Sequence, residues 1–258
     1  MISLAISSYC PKIKWLIAAL ESATGFDEIV LYCRGGGDRF ADNINFETRD
    51  GGIIKDEVSF EPTKKILDEY IASHPDKNIR FYTDTVERMG YAAMNYVVDL
   101  ARGEWVMPFS DDDRFIHQNL FTATLRIRNG QYDDADVVFS QVTVNDNSSW
   151  GIGTDQFSIH QLKVDNLVPF SSFVKKESFF KAGGYLKEDP ILDWGLWLRM
   201  KMMGMTFKYF EKPIYDYRFT NQATLNVMNG RFGDMANMRQ MLIKNAEGFV
   251  NGALEAVK

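Results

Sequence analysis

The sequence feature that most limits the possible fold is an apolar run ending in three consecutive carboxylates. The run, residues 105–109, has the length and composition of a buried strand, and Asp111, Asp112 and Asp113 follow it after one serine. Adjacent carboxylates repel one another, but a divalent cation would turn that repulsion into binding, because hard cations prefer carboxylate oxygens. Ligands of open α/β sheets bind at the carboxyl ends of strands, so we interpret this stretch as a metal and ligand site. An acidic loop that caps the next helix through Asp112 or Asp113 is the alternative.

Composition and charge narrow the class of protein. The 258 residues, 45% of them hydrophobic, are enough for one large core. The net charge of -6 disfavours nucleic acid or an anionic membrane as a partner. The two cysteines, Cys10 and Cys33, lack a metal-ligand spacing and fit a reduced, intracellular setting. The sequence has neither a basic leader nor an apolar run of the roughly 18 residues that a membrane helix needs. We therefore expect a cytoplasmic protein without a transmembrane segment, and leave open a peripheral position at the inner membrane face.

Predicted strands and helices alternate through the first half of the chain. Strands are predicted at 2–8, 28–33, 78–82 and 105–109, and helices at 11–23, 61–73, 89–102 and 116–129. This order implies parallel strands joined by right-handed crossovers. The second half is more mixed, with a turn-rich excursion at 145–154 and a last helix at 231–256. We predict an α/β protein with one mixed, mostly parallel sheet flanked by helices.

Four segments of residues 1–220 share their order and separation with one known family. They are ISSYC at 6–10, GYAAMNYVVDLARG at 90–103, GEWVMPFSDDD at 103–113, and the stretch 171–204 with its SSFVKKESFFKAGGYLKE and ILDWGLWLRMKMMG runs. In this order they resemble the family-2 type glycosyltransferases of the GT-A fold, which use nucleotide-sugar donors. The resemblance implies a single domain at 1–220, with a nucleotide-sugar-binding half at 1–115 and an acceptor half at 116–220. A helical extension would follow at 221–258.

The resemblance also implies an inverting mechanism that uses Mn²⁺ or Mg²⁺. In it Asp112 would hold the metal with help from Asp113, and Asp111 would lie nearer the donor ribose. Asp193 would act as the general base that removes the proton of the acceptor hydroxyl. Such chemistry is reasonable, because a cation stabilises the leaving diphosphate and a positioned base contributes about 10²–10⁴-fold. A role for Asp193 as the N-cap of the helix that follows it is the alternative.

Further positions take donor or acceptor roles through the same resemblance. Gly184, Tyr185 and Trp194 would line the acceptor side, although Trp194 fits a core position equally well. The donor side would include Ser8, Tyr9, Arg34, Asp38, Asn95 and Asp111.

The sequence departs from the family at two places. The second strand ends in Cys33 and Arg34 where the family has acidic residues that read the nucleobase. Arg34 is therefore a candidate for contact with phosphate or with a different base, and a surface salt bridge is the alternative. The family's histidine after a Tyr-Arg pair is absent, and Arg218 or Asn221 are its possible substitutes. These departures leave open the nucleobase and the affinity for metal.

We expect a hexosyltransferase-like enzyme that moves a sugar from a nucleotide-diphosphate donor to a glycan or other hydroxyl acceptor. One alternative is a catalytically inactive nucleotide-sugar-binding protein on the same fold. The other is a metal-dependent phosphohydrolase, which the lack of a second cluster of carboxylates and histidines disfavours. The sequence does not indicate the oligomeric state.

Overall fold

The structure, a computed structural model, describes residues 1–9, 11–34, 60–83, 90–218 and 234–255. Helices and strands alternate as expected through the first half of this part of the chain. The strands are β1 (Ile2–Tyr9), β2 (Glu28–Arg34), β3 (Ile79–Tyr82), β4 (Trp105–Phe109), β5 (Arg114–Phe115), β6 (Val137–Phe139), β7 (Val142–Val144), β8 (Ser148–Trp150), β9 (Phe173–Lys175), β10 (Phe207–Tyr209) and β11 (Tyr215–Tyr217). The helices are α1 (Ile13–Ser22), α2 (Glu61–Ser73), α3 (Gly90–Leu100), α4 (His117–Arg128), α5 (Ile159–Val164), α6 (Lys176–Lys181), α7 (Leu192–Met202) and α8 (Met235–Glu255), with a 3-10 turn at Pro75–Lys77.

The main sheet has the strand order β10-β6-β9-β4-β1-β2-β3 within the described residues. All neighbours are parallel except β9, which runs antiparallel to both β4 and β6. Alternate side chains of β1 enter two separate hydrophobic clusters, with Leu4 and Ile6 on one face and Ala5 on the other. Helices α1, α2 and α4 cover the first face, and α3, α7 and α8 cover the second. The prediction of a mixed, mostly parallel sheet flanked by helices is confirmed.

A smaller sheet has the order β5-β11-β7-β8 within the described residues. It replaces part of the predicted excursion at 145–154, where β8 pairs antiparallel with β7. The prediction missed β8 because the sequence around Ser148 and Ser149 has no alternation of apolar and polar residues. Pairing with β7 forms the strand. Helix α5 also escaped prediction, and a capping box between Ser158 and Gln161 starts it.

The start and end of α1 differ from the prediction. Lys12 is the N-cap, so Pro11 precedes the helix instead of opening it. Ala23 is the C-cap, and Gly25, with φ +76, lies in the turn that leads to β2. No helix among the described residues is long and apolar enough to cross a membrane.

Helix α8 packs on α7 within the same chain. The Asn245 amide donates to the Glu188 carbonyl at 2.9 Å, and the Phe249 ring lies 5.6 Å from the Arg199 guanidinium. Gly183 lies directly under that ring, where a Cβ atom would come 2.6 Å from the ring edge. The described part of the C-terminal segment therefore covers the helix that carries Asp193. The boundaries proposed at residues 115 and 220 stay a prediction.

Two glycine-to-alanine variants should change stability in opposite directions. A Cβ atom at Gly195 in α7 would overlap the buried Asp189 carboxylate, so Gly195→Ala should lower the free energy of unfolding by about 1–3 kcal/mol. Gly248 in α8 is exposed with nothing within 4 Å of a Cβ atom, so Gly248→Ala should raise it by about 1 kcal/mol. Urea unfolding of both variants measures the difference. If the two variants have equal effects on the free energy of unfolding, the Asp189 carboxylate moves away from the new Cβ atom without cost.

Candidate active site

The carboxyl ends of β1 and β4 bring the first two predicted site residues together. The strands are parallel with Ile6 beside Phe109, so Ser8 and Asp111 follow at the same edge of the sheet. The Ser8 hydroxyl donates a hydrogen bond to the Asp111 carboxylate, and both side chains are buried. Asp111 is therefore held in place from the first strand, as a group that must contact a ligand in a fixed position would be.

The other two carboxylates of the triplet differ in exposure. Asp113 is buried, and its Oδ1 accepts the backbone N–H of Arg218 at 2.8 Å. Burial, followed by the charge of Asp112, raises the pKa of Asp113 well above its usual value. Asp112 is half-buried and accepts a hydrogen bond from the Ser110 hydroxyl. The N-cap of α4 is Ile116, without a side-chain cap, so the interpretation of the triplet as a helix cap is wrong.

The donor set of this triplet fits a hard divalent cation. Within the described residues no group of three or more histidine, cysteine, aspartate or glutamate side chains is arranged to hold a metal by itself. Mg²⁺ and similar ions, however, are usually held by one or two carboxylates together with substrate phosphates and water. A buried carboxylate beside two others is costly unless a positive charge compensates it. Asp112, with Asp113 behind it, therefore fits a metal that is completed by a phosphorylated ligand.

Asp193 lies in the first turn of α7 and is buried. Its Oδ2 accepts a hydrogen bond from the Asn166 amide at 2.9 Å. Burial raises the pKa of Asp193, while that hydrogen bond opposes the shift. The N-cap of α7 is Ile191, so the interpretation of Asp193 as the N-cap is wrong. A carboxylate whose pKa is raised binds a proton more readily, which suits a group that accepts one in a reaction.

The tyrosines of β11 connect Asp193 with the triplet. Burial and then the charges of Asp113, Asp112 and Asp193 raise the pKa of Tyr217 to about 12. Burial raises the pKa of Tyr215 well above its usual value, and the charges of Asp113 and Asp193 act in the same direction. One strand thus lies within electrostatic range of Asp113 and of Asp193, which indicates that the two carboxylates are near each other in the fold.

The predicted acceptor residues and Asn95 form a packed turn. The Asn95 amide donates to the Tyr185 carbonyl at 2.9 Å and accepts the Tyr185 N–H at 2.9 Å. Gly184 adopts φ +61, and a Cβ atom there would lie 2.8 Å from the Asn95 oxygen. Asn95, assigned above to the donor, thus holds the Tyr185 backbone through both its amide nitrogen and its amide oxygen. Trp194 is 1% exposed and donates to the Leu162 carbonyl at 2.6 Å, so the structure places it in the core.

Two arginines at the site have unpaired nitrogens. The Nη1 atoms of Arg34 and Arg218 are buried, and neither has a hydrogen-bond partner among the described residues. Arg34 ends β2 beside Tyr9, and the Arg218 guanidinium lies 4.6 Å from the centre of the Trp15 ring. Buried, unpaired guanidinium N–H groups are costly and indicate an anionic ligand. Asp38 and Asn221 lie outside the described residues.

Sequence reasoning missed Asn166 and Trp15. Asn166 follows a short helix in a polar stretch, where no local pattern marks its contact with Asp193. Trp15 reads as part of the α1 apolar face, but its ring also contacts Arg218 and, at 4.3 Å, the Lys12 Nζ. The Asn166–Asp193 and Trp15–Arg218 contacts each join residues that are far apart in the sequence, so only the folded chain reveals them.

Glycosyl transferase family 2 matches residues 52–180, half of the chain. Together with the mixed α/β fold described above, this match defines the class of protein as a glycosyltransferase of GT-A type. The chain belongs to glycosyl transferase family 2. The matched residues include the carboxylate triplet and end before Asp193.

Solved structures share the fold. TarS residues 1–349 from S. aureus, in complex with UDP-GlcNAc, align with 95% of this chain and 72% of their own, at 12% identity and a TM-score of 0.61. The mannosyltransferase PcManGT from Pyrobaculum calidifontis, in complex with GDP-Man and Mn²⁺, aligns over 99% of this chain and 74% of its own, at 13% identity and a TM-score of 0.59. No curated protein sequence matches the chain. Identities this low establish the common fold and leave donor and acceptor to be argued from the site.

Proposed function

We propose that this protein transfers a sugar from a nucleotide-diphosphate donor to a hydroxyl acceptor with inversion at the anomeric carbon. The observation that supports the proposal is that Asp112, Asp113 and Asp193 all lie close enough to Tyr217 for their charges to raise its pKa. The first two carboxylates suit the leaving diphosphate with its metal, and the third suits the attacking hydroxyl. A single displacement needs these two functions on opposite sides of the sugar, and elements 80 positions apart in the chain supply them.

The donor would bind at the carboxyl ends of β1, β2 and β4. Bound there through Asp112 and Asp113, Mn²⁺ or Mg²⁺ would supply Lewis-acid stabilisation of the leaving diphosphate. Arg218 would contribute its unpaired Nη1 to the phosphates, and the backbone bond from Arg218 to Asp113 keeps this cation beside the triplet. Arg34 would do the same from the end of β2. Solved relatives in complex with UDP-GlcNAc and with GDP-Man and Mn²⁺ support a donor of this class.

The acceptor would approach from the side of α7. Asp193 would remove the proton of the attacking hydroxyl, and Asn166 would hold one carboxylate oxygen so that the other can face the acceptor. Tyr185, buried below with its hydroxyl unpaired within the described chain, would fix the floor of this side through its backbone bonds to Asn95. Asn95 and Trp194 therefore support the site from behind rather than contact a substrate.

Turnover of nucleotide sugars with and without metal tests the proposal. The full chain is incubated with a panel of UDP-, GDP-, dTDP- and ADP-sugars, and release of nucleoside diphosphate is followed with Mn²⁺ or with a chelator. We expect release that the chelator abolishes. Asp112→Asn should lower the rate of nucleotide release about 10–100-fold and raise the Mn²⁺ concentration needed. Loss of a residue that only hydrogen-bonds to a metal ligand already lowers metal affinity or activity by this factor. Asp134→Asn, which removes a largely exposed carboxylate, is the matched control.

Donor binding separates the proposal from the binding-protein alternative. Calorimetry with the same donors, with and without Mn²⁺, reports affinity independently of turnover. Tight binding of a nucleotide sugar with no turnover in any acceptor mixture would favour an inactive binding protein. Release of inorganic phosphate from a phosphomonoester, without any sugar transfer, would favour the phosphohydrolase.

A further inference from the structure

The small sheet presents aromatic side chains on one of its faces. Neighbouring residues in register point to the same face of a sheet, and so do residues two apart on one strand. The pairing aligns Trp150 with Val142, and Tyr217 with Val144. Because Val142 and Val144 are two apart on β7, Trp150 and Tyr217 lie on the same face. Tyr215, two residues before Tyr217, shares it.

The inner end of this face packs on the strand that leads into the carboxylates. The Tyr215 ring lies 5.7 Å from the ring of Phe109, the last residue of β4 before the carboxylates. Arg218, directly after Tyr217, donates its N–H to Asp113. The aromatic face therefore begins beside the triplet and extends outward along the sheet.

The far end of the face is connected to the segment that holds Asp193. Beyond Trp150, the Ile152 N–H donates to the Leu167 carbonyl at 2.9 Å, and the neighbouring Asn166 holds Asp193. Trp150 thus lies two residues before the contact with the segment that holds Asp193, and Tyr217 lies one residue before the contact with Asp113. Two strand spacings of about 4.8 Å and the two-residue offset along β7 separate the two positions on the sheet by roughly 12 Å.

The exposure of these rings distinguishes them from the core below. Tyr215 and Val142 are buried, whereas Trp150 is 37% and Tyr217 is 40% exposed. Ser148, on the same face, is exposed and offers a hydroxyl. Aromatic rings beside polar groups, open to water next to a catalytic carboxylate, suit a ligand with one apolar face and many hydroxyls. A pyranose ring has both: C–H bonds on one face and hydroxyls around its edge.

We propose that Tyr217 and Trp150 form an aromatic wall that binds the acceptor as a neutral carbohydrate, with pyranose rings stacked on the indole and phenol. This inference rests on the proposed function and names the acceptor class of that site. The sugar next to the reacting hydroxyl stacks on Tyr217, and a further sugar of the same chain stacks on Trp150. Glycans longer than one residue therefore bind better than monosaccharides.

Direct binding of glycans tests the wall without the need for turnover. The full chain is titrated with neutral di- to tetrasaccharides of glucose, galactose, mannose and N-acetylglucosamine, and saturation-transfer NMR and tryptophan fluorescence are recorded. We expect at least one series to bind, with affinity rising with length. Trp150→Ala should weaken binding about three- to tenfold and Trp150→Phe less, as for loss of one stacking contact. Phe121→Ala, a 49% exposed aromatic on α4, is the matched control and should bind like the wild type.

Several outcomes would contradict the proposal of an aromatic wall. One is wild-type binding of no oligosaccharide of the panel, and another is unchanged binding by Trp150→Ala. Donor affinity is measured on the same variants, and a loss of donor affinity as large as the loss of glycan affinity would also overturn it, because it would mean general damage. Failure of the proposed function appears separately, as absent donor binding and turnover in a wild-type protein that still binds glycans.

Discussion

Replacement of Asp193 by asparagine is expected to lower sugar transfer by about 10²–10⁴-fold, the usual contribution of a positioned general base. Asparagine keeps the size of the side chain and can still accept the hydrogen bond from the Asn166 amide. It cannot take a proton from the acceptor. Donor affinity, measured by calorimetry, should change little, because the proposed donor contacts do not involve Asp193.

The same variant should not be less stable than the wild type. Burial raises the pKa of Asp193 in the folded state, so folding is opposed by its charge above the unfolded pKa and eased as the pH falls. Asparagine removes that cost at neutral pH, and the melting temperature should stay the same or rise. For the same reason, wild-type transfer should fall on acidification at a pH above that of an ordinary carboxyl group.

Asp99→Asn provides the matched control, since Asp99 is an exposed carboxylate on α3. It should transfer sugar at the wild-type rate. The assignment of Asp193 fails if Asp193→Asn keeps more than about a tenth of the wild-type transfer rate. A variant that has lost both transfer and donor binding, with a lowered melting temperature, would instead show a structural role.

The largest loss of stability is expected from Arg199→Met. Arg199 is fully buried in α7 and donates to the Asp189 carboxylate, to the Ala182 carbonyl at 2.8 Å and to the Gly184 carbonyl at 2.5 Å. Methionine fills much of the space but leaves the buried Asp189 carboxylate without its cation and with the Asn245 amide at 3.4 Å. Removal of one member of a buried ion pair costs about 3–5 kcal/mol, which lowers the melting temperature by roughly 6–20 °C.

A second substitution separates the charge effect from packing. Arg199→Met combined with Asp189→Asn removes both charges, so it should recover part of the stability lost in the single variant. Arg126→Met is the surface control, because its partner Glu211 and Arg126 itself are partly exposed, and it should cost about 1 kcal/mol or less. A loss in Arg199→Met no larger than in this control would contradict the importance of the buried pair.

The sequence predicts the frame of the site better than its contacts. The apolar run at 105–109 and the carboxylates after it are local patterns, and the structure has β4 and the triplet at those positions. The family resemblance also led to Asp193, whose role stays a prediction. Local patterns cannot show which atoms meet across the chain. Asn95 was therefore assigned to the donor by resemblance, and the structure has its amide bonded to the Tyr185 backbone.

Exposure is the second property that the sequence cannot supply. The sequence does not distinguish the exposure of Trp194 from that of Trp150, yet one is 1% and the other 37% exposed. Trp194 lies on a helix that α8 covers, whereas Trp150 lies on the outermost strand of the small sheet. Only the arrangement of these distant elements decides which ring a ligand can reach.

The antiparallel strand β9 has a consequence for dissection of the protein into fragments. Although it comes late in the chain, β9 pairs with β4 on one side and with β6 on the other. A cut after residue 115 would leave the N-terminal piece with an open, apolar edge at β4, and the C-terminal piece without the strand that β9 needs. We expect neither piece to fold stably or to stay free of aggregation on its own. Co-expression of the two should restore a joined sheet, which would make this position a natural choice for a split reporter.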